Sequence, residues 1–324
     1  MSQARPSTIA VLGAQRFDPS LHDAVAALDV KGRIAIVTAG WQEREAEDEE
    51  LAEHLGGHVI NLRLHARADE VFTEDTELRD AHRERQEVLR HRQDFYRVRL
   101  EYSLEAERVI RHRQVPAAIL AEQAEESAWA IRELDEWHLR ACAEIRSAFE
   151  AKWKPLERPS VARHHDELRA LLKECSLVAI AGGQVATLLN RLQLFDMATL
   201  IGPRPIAAWS AGAMALSDTV VLFHDDPPQG PGASEVLDAG LGLLPGVVVL
   251  PQPEQRLHLD DHERVERLVR RFQPARCVAL PARSWVMWKE GMLEQPHGVV
   301  ELAVDGTSAA LGSDGTSAPL GGAR

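Results

Sequence analysis

Short apolar runs alternate with polar, helix-compatible stretches at both ends of the chain. Residues 8–12 form an apolar run ending at Gly13, residues 33–38 a second, β-branched one, and residues 58–64 a third. Between them, a helix is expected from Asp18 to Leu28 and an acidic helix through Leu55, stopped by Gly56-Gly57. Strands alternating with helices at this spacing predict a parallel sheet built from βαβ units. The pattern resumes after residue 154 with a helix over 160–173 and strands over 177–181, 205–209, 219–223 and 247–250. A helix over 261–272 capped by Asp260 follows, then strands over 277–280 and 299–304 separated by Trp285-Val-Met-Trp288.

The middle of the chain breaks this alternation. From about 77 to 153 there is no strand pattern, and Leu78, Leu89, Tyr96, Leu100, Leu104 and Ile110 recur at helical spacing. Val115-Pro116 interrupts the run, because the residue before proline avoids the helical region. Ile119, Leu120, Ile131, Leu134, Ala141, Ile145 and Phe149 then mark a second apolar face. A long helical hairpin is therefore expected as an insertion between two parts of one α/β domain, residues 1–76 and 154–304. It either packs along the sheet and on itself, or offers a surface for self-association or for a protein partner. The last residues, 305–324, repeat Asp-Gly-Thr-Ser-Ala at 305 and 314 without apolar bulk, and are expected to be disordered.

The net charge of −13 argues against nucleic acid and against an anionic membrane surface, since both need concentrated Lys and Arg. The Arg-rich stretch 82–113 is interleaved with Glu and Asp and reads as a solvated helix face. Cys142, Cys175 and Cys277 are far apart, which excludes a disulfide framework or zinc ribbon and fits a reducing compartment. No apolar leader or membrane-length run is present, so a cytoplasmic protein is expected. No metal or other cofactor is implied.

The chemistry centres on residues 205–213, where an apolar run meets Ser210 and then only small residues, Ala211, Gly212 and Ala213. A strand turning sharply into a helix around a serine is the pattern of a nucleophile elbow, and the small neighbours leave room for the turn. The plain alternative is a strand-to-helix turn packed closely for structural reasons. Acyl transfer needs two N–H donors aimed at the developing oxyanion. One would come from Ala211, the other from the Gly182-Gly183 turn that ends the preceding strand. Trp41-Gln42-Glu43-Arg44 ends the second strand at the same sheet edge. His224, at the end of a strand and beside Asp225 and Asp226, is a candidate base. His258 and His262 are further candidates, and His164-His165 reads as a solvated pair.

Gly182-Gly183-Gln184 before a Leu-rich helix, the Trp209-Ser210-Ala211-Gly212-Ala213 turn, and Gly240-Leu-Gly-Leu-Leu-Pro-Gly246 occur in this order. Together they resemble the Gly-Gly-Asn-Gln turn, the Ser-Ala-Gly-Ala elbow and the Gly-Leu-Gly-Leu-Leu segment of the peptidase E and cyanophycinase family. That resemblance implies an α/β fold of the class I glutamine amidotransferase type, a mostly parallel sheet flanked by helices. It implies Ser210 as nucleophile, Gly183 and Ala211 as oxyanion donors, and Asp225 or Asp226 as the acidic member. Gln184, Gln252 and Arg256 are then the candidates to hold polar groups of a small peptide or amide substrate. The family's histidine should follow the strand over 247–250, where Gln252 or Pro253 stands instead, and neither can take a proton from a serine. Two expectations follow. The chain is a serine hydrolase or peptidase working through an acyl-enzyme, with His224 as base, or a catalytically inactive relative acting as a binding or oligomerisation module through its hairpin.

Overall fold

The computed structural model describes residues 5–16, 19–223 and 234–312. The chain opens with β1 (Ile9–Leu12), α1 (Leu21–Ala27) and β2 (Arg33–Val37). A short 3-10 segment over Ala39–Arg44 leads to α2 (Glu49–His54), β3 (Val59–Asn61) and α3 (Leu64–Glu74). The hairpin is α4 (Thr76–Arg111) and α5 (Ala117–Trp153), 36 and 37 residues long. Asp75 caps α4 by accepting the Leu78 amide at 3.0 Å, and Pro116 precedes α5.

After the hairpin come α6 (Pro159–Lys173), β4 (Cys175–Ile180), α7 (Val185–Leu194), α8 (Met197–Ile201), β5 (Ile206–Trp209) and α9 (Ala211–Leu216). The remainder is β6 (Thr219–Leu222), β7 (Glu235–Ala239), β8 (Val247–Pro251), α10 (Pro253–Arg256) and α11 (His262–Phe272). The chain then runs through β9 (Arg276–Leu280), β10 (Trp285–Lys289), β11 (Met292–His297), β12 (Val300–Leu302) and β13 (Ser308–Ala310).

Among the described residues the main sheet has seven strands in the order β11-β10-β1-β5-β4-β2-β3. The five from β1 to β3 are parallel, and β10 and β11 extend one edge antiparallel. The fold is thus the α/β arrangement that the strand–helix alternation predicts. The central strands β1 and β5 are buried along their whole length and β4 at every residue but Ser176, as expected where helices cover both faces. One face packs Leu188, Leu192, Val161, Leu168 and Leu172 from α7 and α6. The other packs Leu21 and Ala24 of α1 with Trp209, Trp285 and Met287.

Four local expectations need correction. Trp285–Lys289 is itself a strand, pairing residue for residue with β1, rather than a separator. β8 and β9 leave the main sheet and form a second one with β12 and β13. The tail expected to be disordered from 305 instead turns at Asp305, which accepts the Thr307 amide at 3.0 Å, and returns as β13 along β12; residues 313–324 lie outside the described residues. Asp261, not Asp260, caps α11, accepting the Arg264 amide at 3.0 Å.

The inner face of the hairpin packs on β7 and α11. Tyr96, Leu100 and Ile131 enclose Val236. Beside them the Tyr96 hydroxyl donates to Asp135 at 2.7 Å, and Arg271 forks onto both Asp135 oxygens at 2.7 and 2.8 Å. Arg146 pairs with Asp238, and Gln93 donates to Glu235 at 3.0 Å. Part of the stretch read as a solvated face is therefore buried and paired.

Candidate functional site

In a parallel sheet the loops after successive strands gather at the carboxyl edge, which is where ligands bind. Here β5, β4 and β2 are neighbours, so the segments after them lie side by side: Ser210, Gly182-Gly183 and Gly40-Trp41-Gln42. Ser210 has φ 53° and ψ −123°, a conformation that a non-glycine residue adopts only when its surroundings enforce it. β5 runs directly into α9 through this one residue. Its amide donates to the Leu12 carbonyl at 3.3 Å, and its own carbonyl accepts the Met214 amide at 3.1 Å.

The small residues around it answer to close approaches. A Cβ on Gly182 would meet Ser210 Cβ at 2.9 Å and Oγ at 3.3 Å. A Cβ on Gly212 would stand 2.3 Å from the Ile180 carbonyl oxygen. Gly183 has φ +123°, and a Cβ there would meet the Gly40 carbonyl oxygen at 2.4 Å. That same carbonyl accepts the Gln184 amide at 2.8 Å, tying the turn after β4 to the turn after β2.

Gln42, at φ 59° and ψ −125°, repeats the Ser210 conformation on the far side of the glycine pair. Its side-chain amide donates to Thr187 Oγ1 at 3.1 Å. Gln184 accepts the Thr187 amide at 2.5 Å, so its carbonyl oxygen caps α7. The Gln42 conformation is a feature that the sequence did not reveal, since glutamine carries no sign of a left-handed backbone.

Ala211 is the first residue of α9, where an amide has no partner within its helix. The Gly183 amide has no acceptor among the described residues, and none of their side chains hydrogen-bonds Ser210 Oγ. His224 and Asp225 lie outside the described residues.

Gln252 is held in the left-handed region, φ 55° and ψ 53°, at the end of β8. Its amide donates to the Leu280 carbonyl at 3.2 Å. A Cβ on Gly13 would touch the Pro281 carbonyl oxygen at 2.1 Å, and Gly13 follows Leu12, the acceptor of the Ser210 amide. Backbone contacts thus link Ser210, through the end of β1, to the end of β8. Arg256 ends α10 and is half-buried, with its carbonyl accepting from Arg264 at 3.4 Å.

The other histidines divide. His258 is exposed, and a His262 ring nitrogen contacts the Gly306 carbonyl at 3.0 Å. His164, read as solvated, is buried between Arg67 at 2.9 Å and Arg163 at 3.2 Å. Burial, with Arg67 and Arg163 adding to it, lowers its pKa. Its position on the Val161–Leu168–Leu172 face of α6 was the available signal. All three cysteines are buried free thiols, and burial pushes Cys277 up to about 12.

Residues 136–295 match the family model of peptidase family S51. This match, over just under half of the chain, supports a peptidase E-like family member. The matched stretch starts within α5 and contains β4, β5, Ser210 and β8. A crystal structure of a peptidase from an acI-B1 Actinobacterium is similar at 14% identity and a TM-score of 0.44, covering 95% of this chain and 98% of that one. Among curated proteins none matches the chain. Among the described residues no helix is long and apolar enough to cross a membrane.

Proposed function

We propose that the chain is a cytoplasmic serine peptidase or hydrolase that cleaves a small peptide or amide through an acyl-enzyme at Ser210. The match of residues 136–295 to peptidase family S51 supports a peptidase-like function. The observation that carries the finer reading is the backbone of Ser210, φ 53° at a one-residue strand-to-helix turn, with Gly182 pressed against its side chain. Such a turn presents Oγ at the carboxyl edge of the sheet. The amides of Ala211 and Gly183 would stabilise the oxyanion. His224, on the segment after β6, would take the Ser210 proton, with Asp225 orienting it. Gln184, through the amide nitrogen left over from capping, would join Gln252 and Arg256 in holding the substrate's polar groups. Residues 1–76 and 154–304 would form the catalytic unit and 77–153 an insertion that braces β7, the strand that follows the His224 segment.

A second reading is an inactive relative that keeps the turn as a ligand pocket and works through its hairpin, by self-association or a protein partner. Gln252 at the end of β8, where the family resemblance calls for histidine, favours it. A fluorophosphonate separates the two. Labelling of Ser210, abolished in Ser210→Ala, is the expected result. A folded wild-type protein that stays unlabelled at millimolar reagent would reject catalysis.

A further inference from the structure

The outward face of α4 carries a regular apolar stripe that no described residue covers. Val88, Phe95, Tyr102 and Val109 recur every seventh residue, and Val98 falls three after Phe95. All five are exposed, Phe95 at 67% and Tyr102 at 73%. The inward face of the same helix is already used, with Gln93, Tyr96, Leu100 and Glu107 buried against the body. A seven-residue apolar repeat is the pattern of a helix that packs along a second helix. The stripe spans about 32 Å at 1.5 Å per residue.

The charges beside it choose the occupant. One flank carries Glu87, Asp94 and Glu101; the other carries Arg92 and Arg99. All five are exposed. Arg92 and Arg99 lie over the face of Trp137 at 5.9 and 4.7 Å, which fixes the basic flank in place. Two copies aligned in parallel would set Glu87 against Arg92 of the second copy and Asp94 against Arg99 of the second copy, along both sides of the seam. An antiparallel pair would oppose carboxylates to carboxylates and guanidinium groups to guanidinium groups. Glu105 also falls in the seam with Arg108 forked onto it at 2.7 and 2.8 Å, whereas Glu87 and Asp94 have looser partners on their own helix, Arg90 at 3.4 Å and Arg97 at 3.6 Å, and can turn to the second copy. The stripe is therefore complementary to itself in one orientation.

We propose that a second copy of this chain docks on α4, the two α4 helices packing in parallel about a twofold axis through the Val88–Val109 seam. Sedimentation velocity on the full chain across micromolar concentrations is expected to show a dimer. Joint replacement Phe95→Glu with Tyr102→Glu should raise its Kd about a hundredfold or more, since two large side chains leave the seam. Both positions are exposed, so far-UV circular dichroism should not change. As a second variant, Arg92→Glu with Arg99→Glu should dissociate alone and pair again when mixed with Glu87→Arg, Asp94→Arg chains. Val88→Cys should form a dimer disulfide with itself under oxidised glutathione, as only parallel packing brings the two positions together. A wild-type monomer at every concentration, a dimer that survives the Phe95 and Tyr102 changes, or cross-linking of Val88→Cys only to Val109→Cys would each overturn the proposal.

Discussion

Replacing Asp135 by asparagine is expected to destabilise the protein more than any other single polar exchange in the hairpin. Asp135 on α5 receives three hydrogen bonds: one from the Tyr96 hydroxyl at 2.7 Å and two from Arg271 at 2.7 and 2.8 Å. The Arg271 side chain is 4% exposed and that of Asp135 9%, so water screens neither. Arg271 also donates to the Ser234 carbonyl at 2.7 Å, and the Val236 amide donates to Tyr96 Oη at 3.1 Å. One carboxylate thus joins α4, α5, α11 and β7. Asparagine keeps the shape, removes the charge and leaves a guanidinium buried without its counter-ion, at a cost of about 3–5 kcal/mol. Removing both charges together, Asp135→Leu with Arg271→Met, leaves no unpaired buried charge, only the neutral Tyr96 hydroxyl and Ser234 carbonyl without these partners, and should cost less than the two single changes combined. Urea unfolding followed by circular dichroism, on the four members of the cycle, measures the difference. The coupling should hardly change between low and high salt, because the pair is buried. A cost below about 1 kcal/mol for Asp135→Asn would refute the counter-ion reasoning.

Two further changes probe the site and the core. Gly182→Ala puts a methyl group 2.9 Å from Ser210 Cβ. It should slow fluorophosphonate labelling at Ser210 at least tenfold while costing about 1–3 kcal/mol of stability; unchanged labelling would show that Gly182 does not set the Ser210 side chain. His82 lies 4.9 Å from the Phe72 ring, and burial, with Arg85 and Arg191 adding to it, lowers its pKa to about 3. The unfolded chain binds the proton near pH 6.5 and the folded chain does not, so His82 withdraws stability as pH falls below 6.5, by about 1.4 kcal/mol per pH unit until about pH 3. His82→Leu should flatten that part of the urea-midpoint profile, and an unaltered slope from pH 6.5 to 5 would reject the assignment.

What could be read from sequence was what local periodicity and backbone geometry encode. The hairpin was visible because α4 and α5 carry a 3.6-residue apolar repeat on both sides of Val115-Pro116. β10 was not, because its place depends on pairing Trp285–Trp288 with Ile9–Leu12 at the other end of the chain. β13 contains only Ser308, Ala309 and Ala310, so no apolar pattern marks it. The Tyr96–Asp135–Arg271 cluster was hidden for the opposite reason: its charges sit in charged runs, and only the packing of three helices shows that these few face inward. His164 shows the limit of reading residue types singly, since its helix position carried the burial that its polarity seemed to deny.

The strand-to-helix turn at Ser210 was legible because its geometry tolerates few residue types, and close approaches account for its small neighbours. Gly182, Gly183 and Gly212 stand where a Cβ would meet Ser210 or a backbone carbonyl oxygen within 2.9 Å. Ser210 and Gln42, near φ 55° on either side of the glycine pair, hold strain of about 1–3 kcal/mol each. Strain of that size persists where surrounding contacts over-determine it, here the Leu12 carbonyl for Ser210 and Thr187 for Gln42. An enzyme and a ligand-binding relative would both keep this edge intact, so its shape favours neither. They differ in whether a base reaches Ser210 Oγ, a proton-transfer property that the proposed catalytic reading assigns to His224, since Gln252 stands where the family resemblance calls for histidine. Nucleophilicity therefore separates the two readings, and a reagent that reports nucleophilicity at Ser210 is the decisive probe.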